Sequence, residues 1–264
     1  MNATFNSRRF ALLVKKTLQE RQMLFLGLTG LSLTVTLVSY LFAKAMSDIE
    51  DAQNMSFIIG LVGGGSFLAS QVFGYFNSNA MGASFMTLPA STLEKWLTGI
   101  LFAGVLYLAI FLSFYRLMDT YFVNDYHQNL NPKLPYYKQM MEQVQIFPYD
   151  GFVGIKSFIM FFNFAGAMLL GSLYFNKLSF LKGALVICCF WFGAFFLNWI
   201  IAKSMISQMQ NAIPYWLVWV DVNKDQGRIE LQENLSKTVT ILIGVVVPLI
   251  LWSLTYFRLK EKEF

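Results

Sequence analysis

Long apolar runs separated by short polar stretches set the pattern of this chain. Met23–Ala43 continues for 21 residues without a charge, and comparable runs follow at Met55–Phe76, Leu97–Tyr115, Ser157–Phe175, Gly183–Ala202 and Val239–Phe257. A hydrocarbon core about 30 Å thick takes about 20 apolar residues as helix. In lipid, backbone polar groups are satisfied only in a helix or a closed barrel. The runs are uniformly apolar and lack the two-residue alternation of barrel strands. They predict an all-α integral membrane protein, a bundle of six transmembrane helices forming one membrane domain over residues 1–264. Ala43-Lys44-Ala45 resembles a signal cleavage site. The run before it is too long for a signal core of about 7–15 residues, so an uncleaved span is expected.

Composition agrees with the pattern. Hydrophobic residues make up 56% and charged residues 13%, against roughly 25% charged in a soluble domain. The net charge of +5 raises the question of nucleic acid, but Lys and Arg sit beside the apolar runs, where membrane orientation accounts for them. No nucleic-acid partner is expected. Arg8, Arg9, Lys15, Lys16 and Arg21 precede the first run, and Arg258, Lys260 and Lys262 follow the last. The first connection, Lys44–Asn54, is acidic through Asp48, Glu50 and Asp51. The charge rule therefore puts both termini in the cytoplasm, with Asn77–Trp96 and Asn176–Lys182, and leaves Arg116–Lys156 and Lys203–Thr238 outside. Before the first run, Phe10, Leu13, Val14, Thr17 and Leu18 share one helical face, opposite Lys15, Lys16 and Gln19, and Leu12 breaks the pattern. This segment reads as an interfacial helix or as a plain cytoplasmic start.

The runs are sparse in chemistry. As bounded, none holds Asp, Glu or His, which disfavours a proton-coupled carrier or an intramembrane aspartyl protease. Lys156 sits at the outer edge of the fourth run and can snorkel. His127 has no second His or Cys nearby to share a metal. Cys188 and Cys189 are adjacent, about 100° apart on a helix, and read as packing residues rather than a disulfide or metal pair. Gly63-Gly64-Gly65-Ser66 lacks the Gly-Lys-Ser/Thr ending of a phosphate loop, and close helix packing explains it better. Gln71, Asn163 and Asn198 read as interhelical hydrogen-bonding groups, with a substrate-path lining as the alternative. Asp221–Gly227 resembles a calcium loop, but Gly227 and Glu233 each fall one residue late for that geometry. The flanking Trp216–Val220 and Arg228–Leu231 suggest extended segments around a turn.

The most informative polar stretch is the inner connection Phe85–Trp96. Pro89 breaks any helix before it, and Ser91 and Glu94 stand at capping-box spacing ahead of the third run. Leu88-Pro-Ala-Ser-Thr-Leu-Glu-Lys95 resembles the inner-loop signature of permease subunits of type-2 ABC exporters in Bacteroidetes-type bacteria. Phe5-Asn-Ser-Arg-Arg-Phe10 and Tyr256-Phe-Arg-Leu-Lys-Glu-Lys-Glu263 are similar to that family's opening and ending. The resemblance implies a multi-pass protein of the bacterial inner membrane that forms a substrate pathway with a second copy or paralogue. It implies that Leu88, Pro89, Ala90, Ser91, Thr92, Leu93, Glu94 and Lys95 dock on a separate ATP-binding subunit. Such a chain is no enzyme and carries no cofactor; ATP and Mg belong to the partner. The family often has re-entrant helices in the outer loop before the last span, where this chain is polar at Asp221–Gln232. A non-transporting membrane scaffold or sensor is the competing expectation.

Overall fold

The computed structural model describes residues 5–133, 136–175, 178–205, 209–213, 217–222, 225–230 and 232–262, with backbone alone between 205 and 230. Nine α-helices, some with π segments, appear among the described residues once segments that continue one another are joined, beside a short 3-10 helix at Gly74–Asn77. They are α1 (Ser7–Glu20), α2 (Gln22–Met46), α3 (Ile49–Val72), α4 (Asn79–Met86), α5 (Thr92–Asn129), α6 (Tyr137–Gln143), α7 (Phe152–Tyr174), α8 (Ser179–Ser204) and α9 (Asn234–Glu261). Six of them, α2, α3, α5, α7, α8 and α9, are long and apolar enough to cross a membrane, so the chain is a multi-pass helical membrane protein.

Each apolar run has its own long helix, but the bounds differ: most helices overrun their runs, whereas the second run outlasts α3, which ends at Val72 ahead of the 3-10 turn at Gly74–Asn77. α3 starts at Ile49, because Asp48, Glu50 and Asp51 suit the positive end of a helix. α5 is 38 residues long and continues to Asn129, well beyond Tyr115. Between Arg116 and Asn129 there is no Gly or Pro to end it, and the first breaker is Pro132. Charge ends an apolar run; it does not end a helix.

The spans are all helical, as expected, and the connection between α8 and α9 contains strands β1 (Met209–Ile213), β2 (Leu217–Val222) and β3 (Asp225–Glu230), paired antiparallel in the order β1-β2-β3. Val218 faces Ala212 on one side and Ile229 on the other, so the β-branched and aromatic residues of β2 occupy the centre of the sheet. The expected extended segments around a turn are therefore present over 217–220 and 228–230. Re-entrant helices are absent from the described part of this connection. Asn223 and Lys224 of the calcium-like stretch, Trp216, Leu231, Asn176 and Glu263 lie outside the described residues.

Asn6 and Lys262, near the two ends of the described chain, lie at one end of the bundle, the terminal end. There the Asn6 amide donates to Glu94 Oε1 (2.8 Å), Trp96 Nε1 donates to the Trp252 carbonyl (2.9 Å), and the Lys262 ammonium sits 5.6 Å from the Phe76 ring centroid. The core between α2, α3, α5 and α7 is aromatic: Tyr40, Phe57, Phe111, Tyr115 and Phe161 are all fully buried. α8 is the most peripheral span, and Cys188 and Cys189 are exposed on it rather than packed. Because α8 is apolar all round, its sequence has no stripe to say which face turns inward.

Three spans contain π-helical segments: Ile59–Gly64 in α3, Leu101–Leu106 in α5 and Leu242–Val246 in α9. A π turn displaces carbonyls from the regular ladder, and in lipid these need a partner. The Tyr107 hydroxyl donates to the Gly60 carbonyl (2.6 Å), and Asn163 Nδ2 donates to the Ile243 carbonyl (2.9 Å). Asn163 is therefore an interhelical donor, as expected. Gln71 instead donates to Ser70 Oγ of its own helix (3.1 Å), and Asn198 Nδ2 has no described partner. The glycine run packs closely: a Cβ on Gly64 would strike Ser32 and the Tyr107 hydroxyl, and one on Gly65 would strike Phe161. Gly63 faces open space.

Candidate functional site: the braced loop at the terminal end

The loop between α3 and α5 is a built structure. Ser78 caps α4 through its side chain, and the turn 87–90 closes with the Ala90 amide donating to the Leu88 carbonyl (2.7 Å). Ser91 then caps α5. Both halves of the capping box form: the Glu94 amide donates to Ser91 Oγ (3.3 Å), and the Ser91 amide donates to Glu94 Oε2 (2.9 Å).

Glu94 does more than cap its helix. Its second oxygen, Oε1, accepts from the Asn6 amide (2.8 Å) and from Arg9 Nη2 (3.1 Å) and Nε (3.3 Å). The side chain has no solvent exposure, so a single carboxylate joins α1 to the start of α5. Asn6 is meanwhile the N-cap of α1, accepting from the Arg8 and Arg9 amides. Next to this hub, the buried Lys95 ammonium donates to the Met86 carbonyl (2.8 Å), satisfying an end carbonyl of α4. Arg21, at the break between α1 and α2, donates to the carbonyls of Gln71 (2.9 Å) and Val72 (3.1 Å) at the end of α3 and lies over Tyr75. Burial pulls its guanidinium below the ordinary pKa, and burial likewise raises the Tyr75 hydroxyl, which stays a neutral donor towards Glu20.

The motif residues thus divide between two roles. Pro89 is exposed, and Leu88, Ser91, Thr92 and Leu93 are half-buried. Ala90, Glu94 and Lys95 are buried. Within the chain the two charged residues of the eight face inward: Glu94 is held by main-chain amides and Arg9, and Lys95 by the Met86 carbonyl. The apolar stripe of α1, centred on Leu13 and Thr17, is buried against protein, while Leu18 is exposed. A shallow groove of about 140 Å³ remains between α1 and the loop, lined by Arg9, Leu12, Leu13, Lys16, Leu88, Pro89 and Ala90.

At the far end, a second polar cluster ties three spans together. Asp119, buried in the extension of α5, accepts from Gln53 Nε2 (2.7 Å), from the Phe147 amide (2.7 Å) and from the Tyr40 hydroxyl (3.4 Å). Tyr115 donates to the Gln53 carbonyl (2.7 Å), and Gln53 Nε2 also reaches the Gln145 carbonyl (2.9 Å). His127 pairs with the Val144 carbonyl (2.9 Å). Sequence reasoning missed Asp119 because it bounded the third run at Tyr115. The absence of acids from the runs consequently does not extend to the helix that contains this one. The available signal was helical spacing: Phe111, Tyr115 and Asp119 fall on one face of a helix with no breaker. This chain matches no protein-family model, no curated protein and no solved structure.

Proposed function

We propose that this chain is the permease subunit of a type-2 ABC exporter in a bacterial inner membrane, forming a dimeric substrate pathway moved by a separate ATP-binding subunit. The observation that carries the reading is the braced loop. A partner pressing on Leu88 and Pro89 would move α4, α1 and the first turn of α5 together, because Glu94 and Lys95 join them by hydrogen bonds to main chain and side chain. A load applied there passes into the third span instead of being absorbed by a slack linker. On this reading the terminal end faces the cytoplasm, where the clustered Lys and Arg belong. Energy comes from the partner. Phosphoryl transfer needs a cradle of backbone N–H groups, a lysine on the phosphates and carboxylates for Mg²⁺. The sequence has no Gly-rich loop ending in Lys-Ser/Thr.

A non-transporting scaffold or sensor is the second reading, favoured by the far-end cluster that locks α2, α3 and α5 to residues 145–147. Purification with and without candidate ATP-binding partners, followed by phosphate-release and mass measurements, separates them. The permease reading expects no turnover by the chain alone, turnover with the partner, and two permease copies per particle. Robust turnover by the isolated chain overturns it, as does a monomer that recruits no ATPase.

A further inference from the structure

We propose that the outward face of α1 binds anionic phospholipid headgroups. Connectivity sets the depth of this helix. A single non-helical residue, Arg21 (φ −123°, ψ 23°), separates α1 from α2. The uncharged run of α2 opens two residues later at Met23, which is 89% exposed. α1 is thereby tethered at the level where hydrocarbon gives way to headgroups. One of its faces is already occupied, with Leu13 and Thr17 buried and Asn6 and Arg9 bound to Glu94.

The face left over turns out Arg8, Ala11, Leu12, Lys15, Leu18 and Gln19, all exposed. Arg8 and Lys15 are seven residues apart, two helical turns on one side. Neither forms an ion pair with a described residue, whereas Arg9 pairs with Glu94 and Lys16 with Glu20. Leu12 and Leu18 flank this cationic stripe, 60% and 46% exposed. Cations between apolar side chains at headgroup depth match an anionic lipid: phosphodiester oxygens accept from guanidinium and ammonium, and the leucines meet the upper acyl chains. An acidic soluble protein would satisfy the charges but not this depth. The inference is independent of the transporter reading, since it uses only α1 and its junction with the first span.

The test uses the full chain with Cys188→Ser and Cys189→Ser and a fluorophore on Ala11→Cys, in nanodiscs of phosphatidylethanolamine. Brominated phosphatidylglycerol or brominated phosphatidylcholine is added at equal mole fraction as quencher. The expected result is about threefold stronger quenching by phosphatidylglycerol. The preference should vanish in R8Q/K15Q and in about 1 M salt, where the Debye length falls to about 3 Å. Equal quenching by the two lipids overturns the proposal, and so does a preference that survives R8Q/K15Q. Shielding of the fluorophore by a co-purified protein, with no lipid preference, assigns the face to that protein and overturns it equally.

Discussion

Replacing Glu94 with Ala should release α1 from the bundle while leaving the six spans inserted. The carboxylate holds the Ser91 and Asn6 amides and the Arg9 guanidinium. Losing the capping-box half costs about 1 kcal/mol. The Asn6 amide bond to a charged acceptor contributes about 1.5 kcal/mol at the low end of its range. The Arg9 pair is discounted to about 0.5 kcal/mol, because the arginine side chain is 33% exposed and water can replace its partner. Only the last two cross between α1 and α5; they amount to about 2 kcal/mol, roughly thirtyfold in the docking equilibrium, whereas the capping-box half is internal to the start of α5. Leu13 reports that equilibrium: it is 4% exposed in the docked state and becomes accessible when α1 leaves. With Cys188 and Cys189 changed to Ser, maleimide should label Leu13→Cys about thirty times faster in the Glu94→Ala background. Glu94→Gln, which keeps an acceptor for one amide, should fall between. Labelling of the Ala variant within about threefold of the parent, in protein that still inserts and elutes as a sharp peak, would show that the carboxylate does not hold α1.

Other tests address separate parts of the molecule. Gly64→Leu should lower the thermal midpoint in detergent through about 1–3 kcal/mol of overpacking against Tyr107 and Ser32, whereas Gly63→Leu, facing open space, should leave it unchanged. Tyr107→Phe strips the donor from the Gly60 carbonyl in the π segment of α3 and should cost about 1 kcal/mol in the same assay; an unshifted midpoint would mean the carbonyl finds another donor. Asp119→Leu orphans the Phe147 amide and the Gln53 side chain, so hydrogen exchange at residues 145–147 should rise by at least tenfold, and unchanged protection would refute the pinning role. Reporter fusions active only outside should be silent after Trp96 and active after Asn131; the opposite pattern would invert the proposed topology.

The sequence alone was sufficient for the number and approximate place of the spans, because the bilayer imposes a one-dimensional rule: a fixed thickness demands a fixed length of apolar helix. It was also sufficient for the Ser91–Glu94 capping box, whose partners are three residues apart on one turn. Neither rule reaches across the chain. That Glu94 also holds Arg9, 85 residues away, and that Asp119 meets Gln53, 66 residues away, depends on how helices pack, and sequence spacing has no term for it. The same limit explains Cys188 and Cys189, since a helix apolar on every side carries no record of which side touches protein. The π segments are a tertiary decision as well. A displaced carbonyl such as that of Gly60 or Ile243 is tolerable in lipid only where another span supplies a donor, here Tyr107 and Asn163. Length and local chemistry specified the helices; the demand that every buried polar group find a partner decided how they were brought together.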